Sequence, residues 1–147
     1  MENPKMTFMV TYIVYGEPIG KGRPRFARRG AFTHAYTPEK TKTYEDEIRY
    51  MARAAMGASP PLETPVTVAI YIRVEIPKSF SKQKRKDALE GITKPTKKPD
   101  IDNCAKCFLD AMNGHVYLDD KQVVNLHVTK VWSEIGAVEV MVKEDLI

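Results

Sequence analysis

At 147 residues, with 43% hydrophobic and 29% charged residues, the chain has the size and composition of one globular domain with a real core. Two cysteines exclude a disulfide scaffold and point to a reducing, cytoplasmic setting. No apolar run approaches the roughly 18 residues of a membrane helix and the N-terminus lacks a signal-peptide pattern, so no membrane partner is expected.

The net charge of +4 is unevenly spread. Between Ile19 and Lys42 seven Lys and Arg face Glu39 alone, and between Lys78 and Lys98 eight face Asp87 and Glu90. The rest of the chain is net acidic. Two basic stretches around an acidic centre suit a polyanion partner.

Thr7–Tyr15 is rich in β-branched and aromatic residues and reads as a strand. Phe8, Val10, Tyr12 and Val14 share one face. Met9, Ile13 and Tyr15 make the other face apolar too, which predicts a central strand. Residues 16–38 form a long loop, a length usual for functional segments. Its Gly20-Lys21 pair lacks P-loop spacing, and Gly22 stands where a Mg²⁺-binding Ser or Thr would be needed. Lys21, Arg23, Arg25, Arg28 and Arg29, interleaved with Phe26 and Phe32, suit phosphates and unstacked bases instead. The plain alternative is a hairpin with solvated arginines.

Thr37-Pro38 is a helix start, as cap and first residue. The helix runs to about Met56 on a stripe of Tyr44, Ile48, Met51, Ala52 and Ala55. After a Pro/Gly-rich turn, Val66–Glu75 alternates as a half-buried strand, with Val66, Val68, Ile70, Ile72 and Val74 on one face. Pro77 ends it, and Ser79 or Ser81 caps a short basic helix to Glu90. A loop carrying Lys94, Lys97 and Lys98 then leads into Asp100.

The segment from Pro99 to Val124 concentrates carboxylates: Asp100 with Asp102, then Asp110, then Asp119 and Asp120. Asp100 or Asp102 is a good N-cap and Asn113-Gly114 a good stop. Ile101, Cys104, Ala105, Phe108, Leu109 and Met112 form the apolar stripe of the helix between them. Asp102, Lys106 and Asp110, four apart, stack on a neighbouring face. Close carboxylates repel unless a cation is present, and Mg²⁺ takes one or two carboxylates with water and phosphate oxygens. Asp100 and Asp102 are candidate ligands, with Asp119 or Asp120 returning to complete the site. The plain alternative is a capped, solvated helix face.

Lys121–Trp132 reads as a strand with Val124, Leu126, Val128 and Trp132 on one face. Ala137–Lys143 is the last strand, with Val138, Val140 and Val142 inward. The elements make a single α+β domain: about four strands in one mixed or antiparallel sheet, two main helices and a short basic helix. Cys104-Ala-Lys-Cys107 has metal-site spacing, but Cys104 falls within the apolar stripe, where it serves as a core residue. His115 and His127 have no paired nucleophile and read as structural. Ser-His-Asp catalysis has no support.

Lys98-Pro99-Asp100-Ile101-Asp102-Asn103, Lys106, Asp110-Ala111, Asn113-Gly114 and Tyr117-Leu118-Asp119-Asp120-Lys121-Gln122-Val123-Val124 resemble, in order and spacing, the signature of the RusA family of Holliday-junction resolvases. Gly20-Lys21-Gly22-Arg23-Pro24-Arg25 resembles the family's N-terminal basic motif. The resemblance implies one RusA-like endodeoxyribonuclease domain over residues 1–147. It implies Asp100, Asp102 and Asp120 as catalytic metal ligands, Lys106 as the catalytic lysine, and support roles for Asp119 and Asn103. It further implies a homodimer that cuts four-way DNA junctions with Mg²⁺ or Mn²⁺. Lys21, Arg23, Arg25, Arg28, Arg29, Lys97 and Lys98 are the expected DNA-gripping residues. Cleavage of flaps or forks by the same site, and DNA binding without cleavage, are the competing expectations.

Overall fold

A computed structural model describes residues 7–21, 25–30, 32–36 and 39–146. Four strands form one mixed sheet: β1 (Met9–Tyr15), β4 (Val66–Glu75), β5 (Val123–Ser133) and β6 (Ala137–Glu144), in the spatial order β1-β6-β4-β5. β6 lies antiparallel to both β1 and β4, whereas β4 and β5 are parallel. A parallel pair needs a crossover. Here it is built from α2 (Lys82–Leu89) and α3 (Ile101–Met112). The remaining helix, α1 (Glu39–Met56), follows a separate hairpin of β2 (Arg25–Arg29) and β3 (Phe32–Tyr36). The single-domain α+β expectation holds.

Register explains the core. Val10, Val142 and Val68 stand side by side across three strands. The next rows are Tyr12, Val140 and Ile70, then Val14, Val138 and Ile72, and all nine side chains are buried. α1 packs on this face through Tyr44, Ile48, Ala52 and Met56, spaced four apart. α3 adds Cys104, Cys107, Phe108, Ala111 and Met112. Tyr44 meets Phe108 edge-on at 5.8 Å, fixing the two helices against each other.

Several sequence expectations need correction. β1 is an edge strand, not a central one. Its second face is apolar in composition yet open to water, with Met9 and Tyr15 exposed, because α1 and α3 cover only the Val10–Val14 face. On β5, Val124 and Leu126 are 56% and 42% exposed rather than inward. The pairing passes from Val66–Val123 to Thr67–Asn125, so Val124 is an extra residue at a bulge. Leu126 does pair with buried Val68, but on the outermost strand. Ile101 is exposed at the first turn of α3, and Cys107 and Ala111 take the inward positions. The long loop after β1 contains the β2–β3 hairpin, turned through Gly30 at φ +61°. Thr37 and Pro38, the expected start of α1, lie outside the described residues.

Candidate active site

The start of α3 is held from β5. Lys130 Nζ donates to the carbonyls of Lys97 and Pro99 at 2.7 and 3.1 Å. The Lys98–Pro99 peptide is cis. Asp100 is the N-cap residue in extended conformation, but its side chain makes no capping bond. Its Oδ2 instead accepts from Asn103 Nδ2 at 3.1 Å. Asp102 lies in the first turn and Lys106 one turn further, and all three charged side chains are exposed. Lys98 shares with Asp100, Lys21 and Lys40 the wall of a cavity of about 270 Å³. Lys97 lies 5.7 Å over the Trp132 ring.

The Gly20-Lys21 motif docks on this helix. Lys21 N–H donates to the Asn103 carbonyl at 3.0 Å. A side chain at Gly20 would bring its Cβ to 3.1 Å from Asn103 Cβ, so glycine permits the approach. The Lys21 side chain reaches Asp110 Oδ2 at 2.6 Å and Glu45 Oε1 on α1 at 3.4 Å. Partial burial pulls the lysine pKa down, but the Asp110 hydrogen bond and the Glu45 charge outweigh it and hold the ammonium above its usual range.

The other end of α3 carries the second acidic group. Buried Tyr117 donates from its hydroxyl to the Leu109 carbonyl at 2.7 Å, tying the return loop to the helix. Asp119 caps the 3₁₀ turn Asp120–Gln122: its Oδ1 accepts from Lys121 N–H at 2.9 Å, while Gln122 Oε1 accepts from Asp119 N–H at 2.9 Å. The bond from Lys121 N–H holds the Asp119 carboxyl below its usual range. Burial, then the hydrogen bond with Asp119 and the charges of Asp119 and Asp110, raise that of Asp120. Asp119, and Asn103 at the opposite end, each make a side-chain hydrogen bond within the acidic segment.

The expected ligands therefore fall into two groups. Asp102 and Asp110 are eight residues apart, about 12 Å along the helix axis at 1.5 Å per residue. The carboxylates whose charges act on Asp120 are Asp119 and Asp110. Among the described residues no three His, Cys, Asp or Glu side chains gather closely enough to hold a metal ion. Asp100, Asp102 and Asp120 of one chain form no such group among the described residues. Lys106 stands exposed between the two groups, with no carboxylate within ion-pair distance among the described residues.

Arg28 is exposed. Arg23 lies outside the described residues, and for Arg25 and Arg29 the backbone alone is described. The Lys21–Asp110–Glu45 cluster was not read from the sequence. Lys21 and Asp110 are 89 residues apart, and nothing local marks Glu45 as their neighbour. Cys104 and Cys107 are fully buried, and burial pushes each thiol up to about 12, as core residues rather than ligands. No helix among the described residues is long and apolar enough to cross a membrane.

Comparison with known proteins places this arrangement. A family model described as endodeoxyribonuclease RusA matches residues 15–143. An uncharacterized protein of Bacillus subtilis (strain 168), YqaN, is 40% identical over 139 residues, covering 92% of this chain and 96% of that protein.

Proposed function

The chain belongs to the RusA family of endodeoxyribonucleases, and from that premise we propose that it resolves four-way DNA junctions by paired phosphodiester hydrolysis with Mg²⁺ or Mn²⁺. The observation that carries the reading is the family match over residues 15–143, which covers β4, β5, nearly all of β6 and all three helices, and takes in the last residue of β1. Lys97 and Lys98, exposed just before α3, and Arg28, exposed on the hairpin, would supply phosphate-binding charge.

The separation of the acidic groups gives the dimer a task. Exposed apolar residues lie close to each group in the chain: Ile101 next to Asp102, and Leu118 and Val124 within four residues of Asp120. An isologous contact would cover both sets, and it would bring Asp100 and Asp102 of one copy to Asp120 of the partner subunit. In this reading those three carboxylates, drawn from two chains, would hold the cation, which would supply Lewis-acid charge to a phosphodiester. Lys106, without an ion pair among the described residues and one turn from Asp102, would neutralise the scissile phosphate. Two such sites in one dimer match the two strands a junction presents.

Junction cleavage with and without Mg²⁺ tests the activity, with flap, fork and duplex substrates alongside. Absence of metal-dependent cutting favours the non-cutting DNA binder, to which the dispersed carboxylates of a single chain also conform. Subunit sharing is tested by co-assembling D102N with D120N. Each variant alone should bind junctions without cutting, whereas the mixed dimer regains one intact site and nicks. Failure of the mixture, with wild type active, would show that each chain builds its own site. Calorimetric Mn²⁺ binding, weakened in either variant and partly recovered in the mixture, supplies a readout independent of cleavage.

A further inference from the structure

α1 and the turn after α3 enclose a groove of about 730 Å³ that the acidic site does not use. Arg49 and Arg53, one turn apart, line it from α1, and Gly114 with His115 line it from the other side. Tyr50, 73% exposed, also lines it. Its one lining carboxylate is Asp46, already hydrogen-bonded to Arg49. Arg53 has no ion pair among the described residues. A cation in the last turn of a helix is ordinary, since it offsets the C-terminal dipole. That accounts for Arg53, and the pairs with Asp46 and Glu45 account for Arg49, but neither accounts for an imidazole and an exposed aromatic ring around the same space.

His115 records the crowding. Burial lowers its pKa, and the charges of Arg53 and Arg49 lower it further, so the imidazole meets neutral pH uncharged. An anion entering the groove would reverse the arginine effect. The groove also connects to the acidic centre. Arg49 reaches Glu45 at 4.0 Å, Glu45 faces Lys21 at 3.4 Å, and Lys21 holds Asp110 at 2.6 Å. A chain of alternating charges thus runs along α1 from the groove to the end of α3.

We propose that this groove is a second nucleic-acid subsite, in which Arg53 and Arg49 bind backbone phosphate and Tyr50 stacks on an unpaired base of a DNA strand leaving the acidic centre. Guanidinium groups match phosphate oxygens bidentately. Base–aromatic stacking is tolerant of sequence, as a branched substrate with varied arms requires. The choice of DNA as ligand rests on the nuclease reading, but the binding measurement does not depend on cleavage.

The probe is a fluorescently labelled twelve-nucleotide thymidine strand, bound without divalent cation. R53E should weaken binding about tenfold, and R53A should make its salt dependence shallower by about one unit of log–log slope. R53K should retain most of the affinity, and Y50A should lose severalfold. The His115 ring protons, followed by NMR, should titrate at higher pH once the strand is bound. Unchanged thermal melting shows that the variants fold. The proposal is overturned if R53E and Y50A bind as wild type does, or if the strand leaves the His115 titration where it was. It is overturned equally if inorganic phosphate moves His115 but the strand does not, or if an acidic peptide competes as well as the strand. Inactivity of wild type on junctions would sink the nuclease reading, whereas these binding outcomes decide the groove separately.

Discussion

The two ends of α3 carry the same side chain in opposite circumstances. At the N-terminal end Asp100 and Asp102 are exposed, and a single hydrogen bond from Asn103 is what Asp100 receives. At the C-terminal end Asp110 is engaged by Lys21, Asp119 caps a turn, and Asp120 is drawn into their field. Carboxylates of the first kind contribute little to folding and remain available to a cation. Those of the second kind are partly spoken for by the protein itself. The difference teaches that an aspartate motif combines two jobs, and that substitutions at the two ends should separate them.

The largest expected effect is on chemistry at the unengaged end. Asp102→Asn should reduce junction cleavage by at least about 100-fold, the scale of a lost charge-stabilising group, while thermal melting stays within error. A substantial drop in melting temperature would show that Asp102 supports the fold and erase the contrast. Next is Asp119→Ala at the engaged end. It removes a side-chain cap and should lower the urea midpoint. An unchanged midpoint would remove its structural role.

Lys21→Met should cost less, about 0.5 kcal/mol, because its two ion pairs are partly solvated. Losing this built-in cation should also strengthen calorimetric Mn²⁺ binding by the site that Asp120 completes. The smallest effect concerns pH. A carboxyl whose folded pKa is raised binds its proton more tightly when folded, so Asp120 opposes stability at neutral pH and that penalty fades as pH falls through its folded pKa. Asp119 has the opposite sign: its contribution is present above the unfolded pKa and is lost as pH falls through the lowered folded one. Wild type should therefore gain on D120N as the pH falls from neutral toward the usual aspartate range. A constant difference across that range would contradict the assigned direction.

Much of the architecture was legible because burial in β4, β6 and α1 follows the period of each element. Val66–Val74, Val138–Val142 and the Tyr44–Ala52 stripe all fall where alternation or four-residue spacing puts them. β1 misled because Met9, Ile13 and Tyr15 are apolar enough to suggest a second buried face. Composition cannot show that no helix covers that side. β5 misled because one extra residue at Val124 and a place on the rim both defeat alternation. The acidic motif was legible as chemistry. Among the described residues no three of its carboxylates gather within one chain, and the path of the return loop that decides this has no local signature. The Lys21–Asp110–Glu45 cluster joins three elements and had no local signature.

The Cys104–Cys107 pair has a practical corollary. Thiols sunk in the core and shifted to about 12 hardly populate the thiolate that maleimide reagents attack. A cysteine introduced at an exposed position, such as Ser79→Cys, should therefore take up one dye or spin label per chain without first removing the native pair. Distances between labels on two chains would then report how the copies are arranged around a branched substrate.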